Sequence, residues 1–133
     1  MRSWAGDSRD HEESVAPYAP LFYAAVRMQS EGHAMRMMLK ITLPTEVANG
    51  ALKDGSFSRI MEATMNKLKP EAAYFVADKG CRCAMLFFDM RDASDIPVIA
   101  EPLFAGLNAQ LELVPAMNAD DLKKGLSAAM QPT

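Results

Sequence analysis

The chain has 133 residues, half of them hydrophobic, and carries 14 basic against 17 acidic side chains for a formal charge of −3. That content suits one globular domain with one core, and the mixed charges leave no basic field for nucleic acid or an anionic membrane surface. No apolar stretch approaches the roughly 20 residues that span a bilayer, and two cysteines, Cys81 and Cys83, cannot frame a disulfide scaffold, so a reducing cytoplasm is expected.

Residues 1–34 read differently from the rest. An acidic, polar start over residues 7–14 passes through Pro17 and Pro20 to a short greasy run at 21–26. A secretory signal would begin basic and carry a longer apolar segment. The stretch is therefore expected to be a disordered extension, with at most a weak helix over residues 19–29. Translation starting at Met35 or Met37 is the alternative. Both histidines, His11 and His33, fall here, and residues 35–133 contain neither histidine nor tryptophan. Histidine triads, histidine general bases and histidine-rich metal sites are thereby removed from the folded part, and no cofactor is expected.

From residue 35 the pattern is orderly. Met37, Leu39, Ile41 and Leu43 alternate with Arg36, Met38, Lys40 and Thr42, which is the period of a strand. Pro44 ends it, and Thr45 is placed to cap a short helix to about Lys53. Gly55 breaks that helix, and Ser56 is placed to cap the next. There Phe57, Ile60, Met61, Thr64, Met65 and Leu68 recur at three- and four-residue spacing as one apolar stripe, until Pro70 stops it. Residues 72–77 read as a second strand, and Asp78-Lys79-Gly80 as a hairpin turn with glycine free to take a positive φ. A third strand follows over residues 83–90. Asp92 or Ser94 then caps a helix containing Ile96, Ile99, Leu103, Phe104 and Leu107. Pro97 suits its first turn, whereas Pro102 should kink or split it. Residues 110–114 form a last strand with Leu111 and Leu113 inward, and Pro115 requires that strand to be an edge. A closing helix starts at Asn118, with Asp120 and Asp121 in its first turn.

This order predicts an α+β fold over residues 35–133. It is the ferredoxin-like βαββαβ arrangement, a four-stranded antiparallel sheet with a C-terminal helix added. Strands one and three then lie at the centre. The third is apolar on both sides, with Cys83, Met85 and Phe87 pointing one way and Ala84, Leu86 and Phe88 the other. Helices of the same chain can cover one face. A second copy is the expected cover for the other, which makes the protein a homodimer.

The motifs with possible chemistry are few. Lys79-Gly80 begins like the third-strand signature of RNA-recognition modules, but its third, fifth and eighth places hold Cys81, Cys83 and Leu86 where stacking aromatics belong. RNA binding is not expected. The thiols of Cys81 and Cys83 would share one side of a strand roughly 6.6 Å apart, from a rise of ~3.3 Å per residue. That suits neither a disulfide nor, without further ligands, a metal. Of the 11 methionines, Met37, Met38, Met61, Met65, Met85 and Met90 fall in or near the expected core. They fill irregular gaps there, a plastic apolar pocket being the alternative.

Charges on the strands say more. If Leu39 and Ile41 face the helices, Arg36, Lys40 and Thr42 share the other side with Gln110 and Glu112. Lys40 and Glu112 should then stand opposite each other as a cross-strand ion pair, or alternatively as a polar spot within an apolar cavity. Tyr74 on the second strand and Glu101 before the Pro102 kink complete the candidate set, because a kink frees a carbonyl.

Five strings carry a resemblance: KPEAAYF at 69–75, FFDM at 87–90, DIPVIAEPLF at 95–104, LNA at 107–109 and MNADDLKKGL at 117–126. On these, residues 35–126 resemble the dimeric α+β-barrel branch of the ferredoxin-like superfamily, and within it a group of small uncharacterised bacterial proteins. The resemblance implies two sheets joined face to face across a twofold axis, with the helices outside. The wider superfamily includes cofactor-independent monooxygenases, muconolactone-type isomerases, haem-binding chlorite-dismutase relatives and stress-responsive barrel proteins. Its haem binders use an axial histidine, which residues 35–133 lack. Fold alone does not transfer function. The expectation is a cytoplasmic homodimer that binds a small hydrophobic ligand or acts as an accessory protein. Arg36, Lys40, Tyr74, Glu101 and Glu112 are its candidate ligand-binding residues, and neither nucleic acid nor membrane is a partner. The alternative is a cofactor-independent enzyme, monooxygenase- or isomerase-like, using the same residues as acid, base or anion-stabilising groups on a small hydrophobic substrate.

Overall fold

A computed structural model of the protein describes residues 34–132. The extension expected over residues 1–34, its weak helix and both histidines lie outside the described residues, Ala34 excepted. The elements run β1 (Met35–Thr42), α1 (Thr45–Asp54), α2 (Ser56–Leu68), β2 (Ala72–Asp78), β3 (Cys81–Met90), α3 (Asp95–Leu107), β4 (Gln110–Pro115) and α4 (Ala119–Ala129). Its four strands form one antiparallel sheet in the order β2-β3-β1-β4, an α+β arrangement compatible with a ferredoxin-like fold.

Strands β1 and β3 are the central pair, and their register stacks the core. Met37 lies opposite Phe88, Leu39 opposite Leu86 and Ile41 opposite Ala84. All six are buried, with Leu39 and Leu86 fully so. Above them lie Ala48 and Ala51 of α1, Met61 of α2, and Ile99, Leu103 and Leu107 of α3. Each large side chain buried here contributes about 1.5–3 kcal/mol relative to exposure. The edge strands join as the sequence implies: Leu111 and Leu113 of β4 pack partly buried against this core, and Pro115 sits at the edge opposite Met37.

The hairpin between β2 and β3 has two turn residues, Lys79 at φ 52° and Gly80 at φ 81°, with Asp78 opposite Cys81. Positive φ at both turn positions matches the right-handed twist of the strands. The helix starts are less regular than the sequence suggests. Asn118 caps α4 as expected, its side chain accepting from the Asp121 N–H at 2.8 Å while Asp121 accepts from the Asn118 N–H at 3.1 Å. Neither Thr45 nor Ser56 acts as a cap; both are already helical. Pro44 precedes α1, and Gly55, at φ 83°, both ends α1 and starts α2. Pro44 and Gly55 thus hold the cap positions expected of Thr45 and Ser56, and Asp54 Oδ1 accepts from the Ser56 N–H at 2.8 Å.

Pro102 does not split α3, which runs unbroken from Asp95 to Leu107. A proline there removes the N–H that would bond the carbonyl of Val98, four residues back. Lys67 of α2 supplies the missing donor, its Nζ lying 3.1 Å from the Val98 oxygen. The helices are close because Gly106 has no side chain: a Cβ there would stand 2.5 Å from Ile60 Cδ1. The carbonyl freed by Pro102 is therefore claimed by the neighbouring helix. Replacing Lys67 by Met should lower unfolding free energy by about 0.5–1.5 kcal/mol in urea titrations. In a Pro102→Ala background, where residue 102 has its own N–H, that cost should fall to a few tenths; an equal cost in both backgrounds would dismiss the latch.

Candidate functional site

The face of the sheet away from the core carries the candidate residues. Strict alternation puts Arg36, Met38, Lys40 and Thr42 of β1 there. Across the ladder they meet Asp89, Phe87, Met85 and Cys83 of β3, while Val114, Glu112 and Gln110 of β4 flank the other side. Tyr74 of β2 lies opposite Met85 and Val76 opposite Cys83. Helices α1, α2 and α3 bury their side chains on the other face, and α4 has no buried residue. Met38, Met85 and Phe87 are half-buried here, whereas Tyr74 is 62% exposed.

Lys40 and Glu112 are Cα partners, as the sequence requires. The ion pair nevertheless forms elsewhere: Lys40 Nζ meets Asp78 Oδ2 at 2.8 Å. Asp78 stands opposite Cys81, so the lysine stem crosses β3 diagonally, over Cys83. That crossing, with Thr42 and Val76 on either side, accounts for Cys83 being buried on the face opposite α1, α2 and α3. The Thr42 hydroxyl donates to the Cys83 sulfur at 3.9 Å. The hydrogen bond from Lys40 and its charge hold the Asp78 carboxyl below its ordinary value, and Asp78 in turn raises Lys40. Glu112 adds only a weaker, through-space attraction.

Arg36 serves a different purpose. Its Nε donates to Glu71 at 3.1 Å and its Nη1 to Asp121 at 2.9 Å. Asp121 is also the capping-box residue of α4, and the Arg36 carbonyl accepts from the Ala116 N–H at 3.0 Å. The arginine fastens the first turn of α4 to the start of β1, which places it at the rim of the face. Glu101 is exposed on α3, the helix layer across the sheet, and does not join the other candidates. Four of the five candidates thus share a face, and each of their two cations already has a carboxylate. The residue missed was Asp78, treated as turn only. Its two-residue spacing from Val76 and Tyr74 was the available signal, because it assigns all three to one side of a strand.

None of the three cavities found among the described residues, of about 510, 360 and 210 Å³, is lined by Arg36, Lys40, Tyr74, Glu101 or Glu112. Among the described residues no cluster of His, Cys, Asp or Glu could hold a metal ion, and no helix is long and apolar enough to cross a membrane. No family model, curated protein or solved structure matches this chain.

Three carboxyls sit below their ordinary values. Asp54 does so through hydrogen bonds from Ser56, Asp78 through Lys40, and Asp121 through the Asn118 N–H with help from Arg36. Each binds a proton less readily folded than unfolded. Their stabilisation is therefore complete at neutral pH and declines as pH falls below about 4. Lys40 acts oppositely, its contribution being lost only as pH rises through its raised value. Melting temperatures measured from pH 6 to pH 2 should fall less steeply for Asp78→Asn than for the unmodified chain. Parallel acid limbs would remove Asp78 from the account.

Proposed function

We propose that the protein is a cytoplasmic homodimer of ferredoxin-like βαββαβ subunits that binds a small hydrophobic ligand between two apposed sheets, acting as a binding or accessory protein. The supporting observation is the apolar content of the face opposite α1, α2 and α3. Met38, Met85 and Phe87 lie only half-buried there, beside Tyr74, Val76 at 43% and Val114 at 44% exposure. A contiguous apolar surface of this kind marks an interaction site on a soluble domain. A second copy apposed by a twofold axis would bring the same ladder against itself, an isologous contact.

Helix α4 supports the same reading. Leu122, Leu126 and the C-cap residue Met130 follow one another at four-residue spacing, all well exposed, along a helix that buries nothing in its own subunit. In a pair this stripe has a partner surface to cover. The enzyme alternative has less support, because Arg36 and Lys40 are each neutralised by carboxylates and none of the three cavities found among the described residues gathers the candidate acids and bases.

Sedimentation at micromolar concentration should give twice the 14.6 kDa chain mass. Phe87→Glu should yield a folded monomer, since Phe87 faces the proposed partner. Leu86→Glu should unfold the chain, because a buried unpaired charge has no compensation on the core side. A monomeric unmodified chain would overturn the dimer. In a thermal-shift screen of small aromatic and acyl compounds, a binder should raise the melting temperature of the unmodified dimer, and more than that of Phe87→Glu.

A further inference from the structure

We propose a second ligand site, on the helix side of the sheet, that takes an apolar monocarboxylate. It is independent of the dimer reading because it lies on the opposite face. The buried side chains of α1, α2 and α3 pack over β1 and β3, whereas the edge strand β2 has no buried residue, and Phe75, which points to the helix side opposite Ala84, is 63% exposed. Between β2 and α2 this leaves a cavity of about 360 Å³. Ile41 and Leu43 contribute its floor, Phe57 and Met61 of α2 one wall and Phe75 the other. That volume falls in the range of small-molecule sites, roughly 300–1,000 Å³.

Among the described residues, Arg82 is the only charged one lining the cavity. It shares the strand side of Ala84 and is exposed, and its backbone carbonyl accepts from the Leu43 N–H at 3.0 Å. Among the described residues its guanidinium makes no ion pair, in contrast to Arg36 and Lys40, which both do. A single guanidinium fork beside an apolar chamber fits one carboxylate bidentately, with the hydrophobic body of the ligand reaching between the two phenylalanines. Two aromatic walls suit a flat ring or an acyl chain. A neutral ligand would leave the fork unused, and a polar body would be stripped of water against the aliphatic floor.

The test is a titration of the full chain, its methionine methyl groups isotopically labelled, with decanoate and with 2-naphthoate, followed by NMR. The Met61 methyl signal should shift in an Arg82-dependent way, whether or not Met38 and Met85, on the other face, also respond. Arg82→Gln should weaken both acids at least tenfold and leave the corresponding alcohols unchanged, whereas Phe75→Ala should weaken acids and alcohols alike. Both positions are exposed, and an unaltered melting temperature confirms that each variant folds. Tighter binding of naphthoate would assign an aromatic acid, and of decanoate an acyl one. The proposal is overturned if neither acid moves Met61 at about 1 mM, a concentration that reveals even weak complexes. It is equally overturned if the shifts are confined to Met38 and Met85, or if Arg82→Gln binds both acids as the unmodified chain does.

Discussion

A pleated strand sends neighbouring side chains to opposite faces, and in β3 both sets are apolar. That constraint organises the molecule. Ala84, Leu86 and Phe88 are closed over by α1, α2 and α3. Among the described residues no such layer covers Cys83, Met85 and Phe87, and the polar groups around them are arranged accordingly. Lys40 neither points at solvent nor pairs with the carboxylate beside it; it reaches across β3 to Asp78 and shields Cys83 on the way. A cation on a half-apolar surface lies more favourably along it, stem down and charge compensated, than standing free.

The two arginines show how position decides use. Arg36, at the start of a central strand, is held between Glu71 and Asp121 and acts as a fastening for α4. Arg82, at the start of the other central strand, has an aliphatic and aromatic hollow beside it instead. The same side chain is structural in the first setting and available for a ligand in the second. The two faces of one sheet thus offer different chemistry: a broad apolar ladder on one, and a small chamber with one positive charge on the other.

Features governed by periodicity were legible in the sequence. The alternation of β1 and the stripe of α2 follow from spacing, the edge position of β4 from Pro115 and the α4 cap from Asn118, and each is present. Features governed by the reach of a long side chain or by the approach of distant segments were not. Strand pairing set Lys40 opposite Glu112, yet a flexible four-carbon stem can choose any carboxylate within its radius. Pro102 looked like a break because its partner, Lys67, comes close only once Gly106 lets α2 and α3 meet over Ile60. Glu101 was drawn into the candidate set by that proline, and it lies on the helix layer instead.

The two-residue turn at Lys79 and Gly80 has a consequence for how this chain can vary. Strand β2 has no buried residue and is apolar on both sides from Ala72 to Ala77, so packing barely distinguishes one alignment against β3 from the next. The left-handed pair of the turn makes that choice almost unaided. A slip by a single position would exchange Tyr74 for Phe75, moving the phenol into the chamber and the bare ring onto the ladder. Mutational drift along β2 should therefore be tolerated far more readily than any change of length or backbone handedness at its tip.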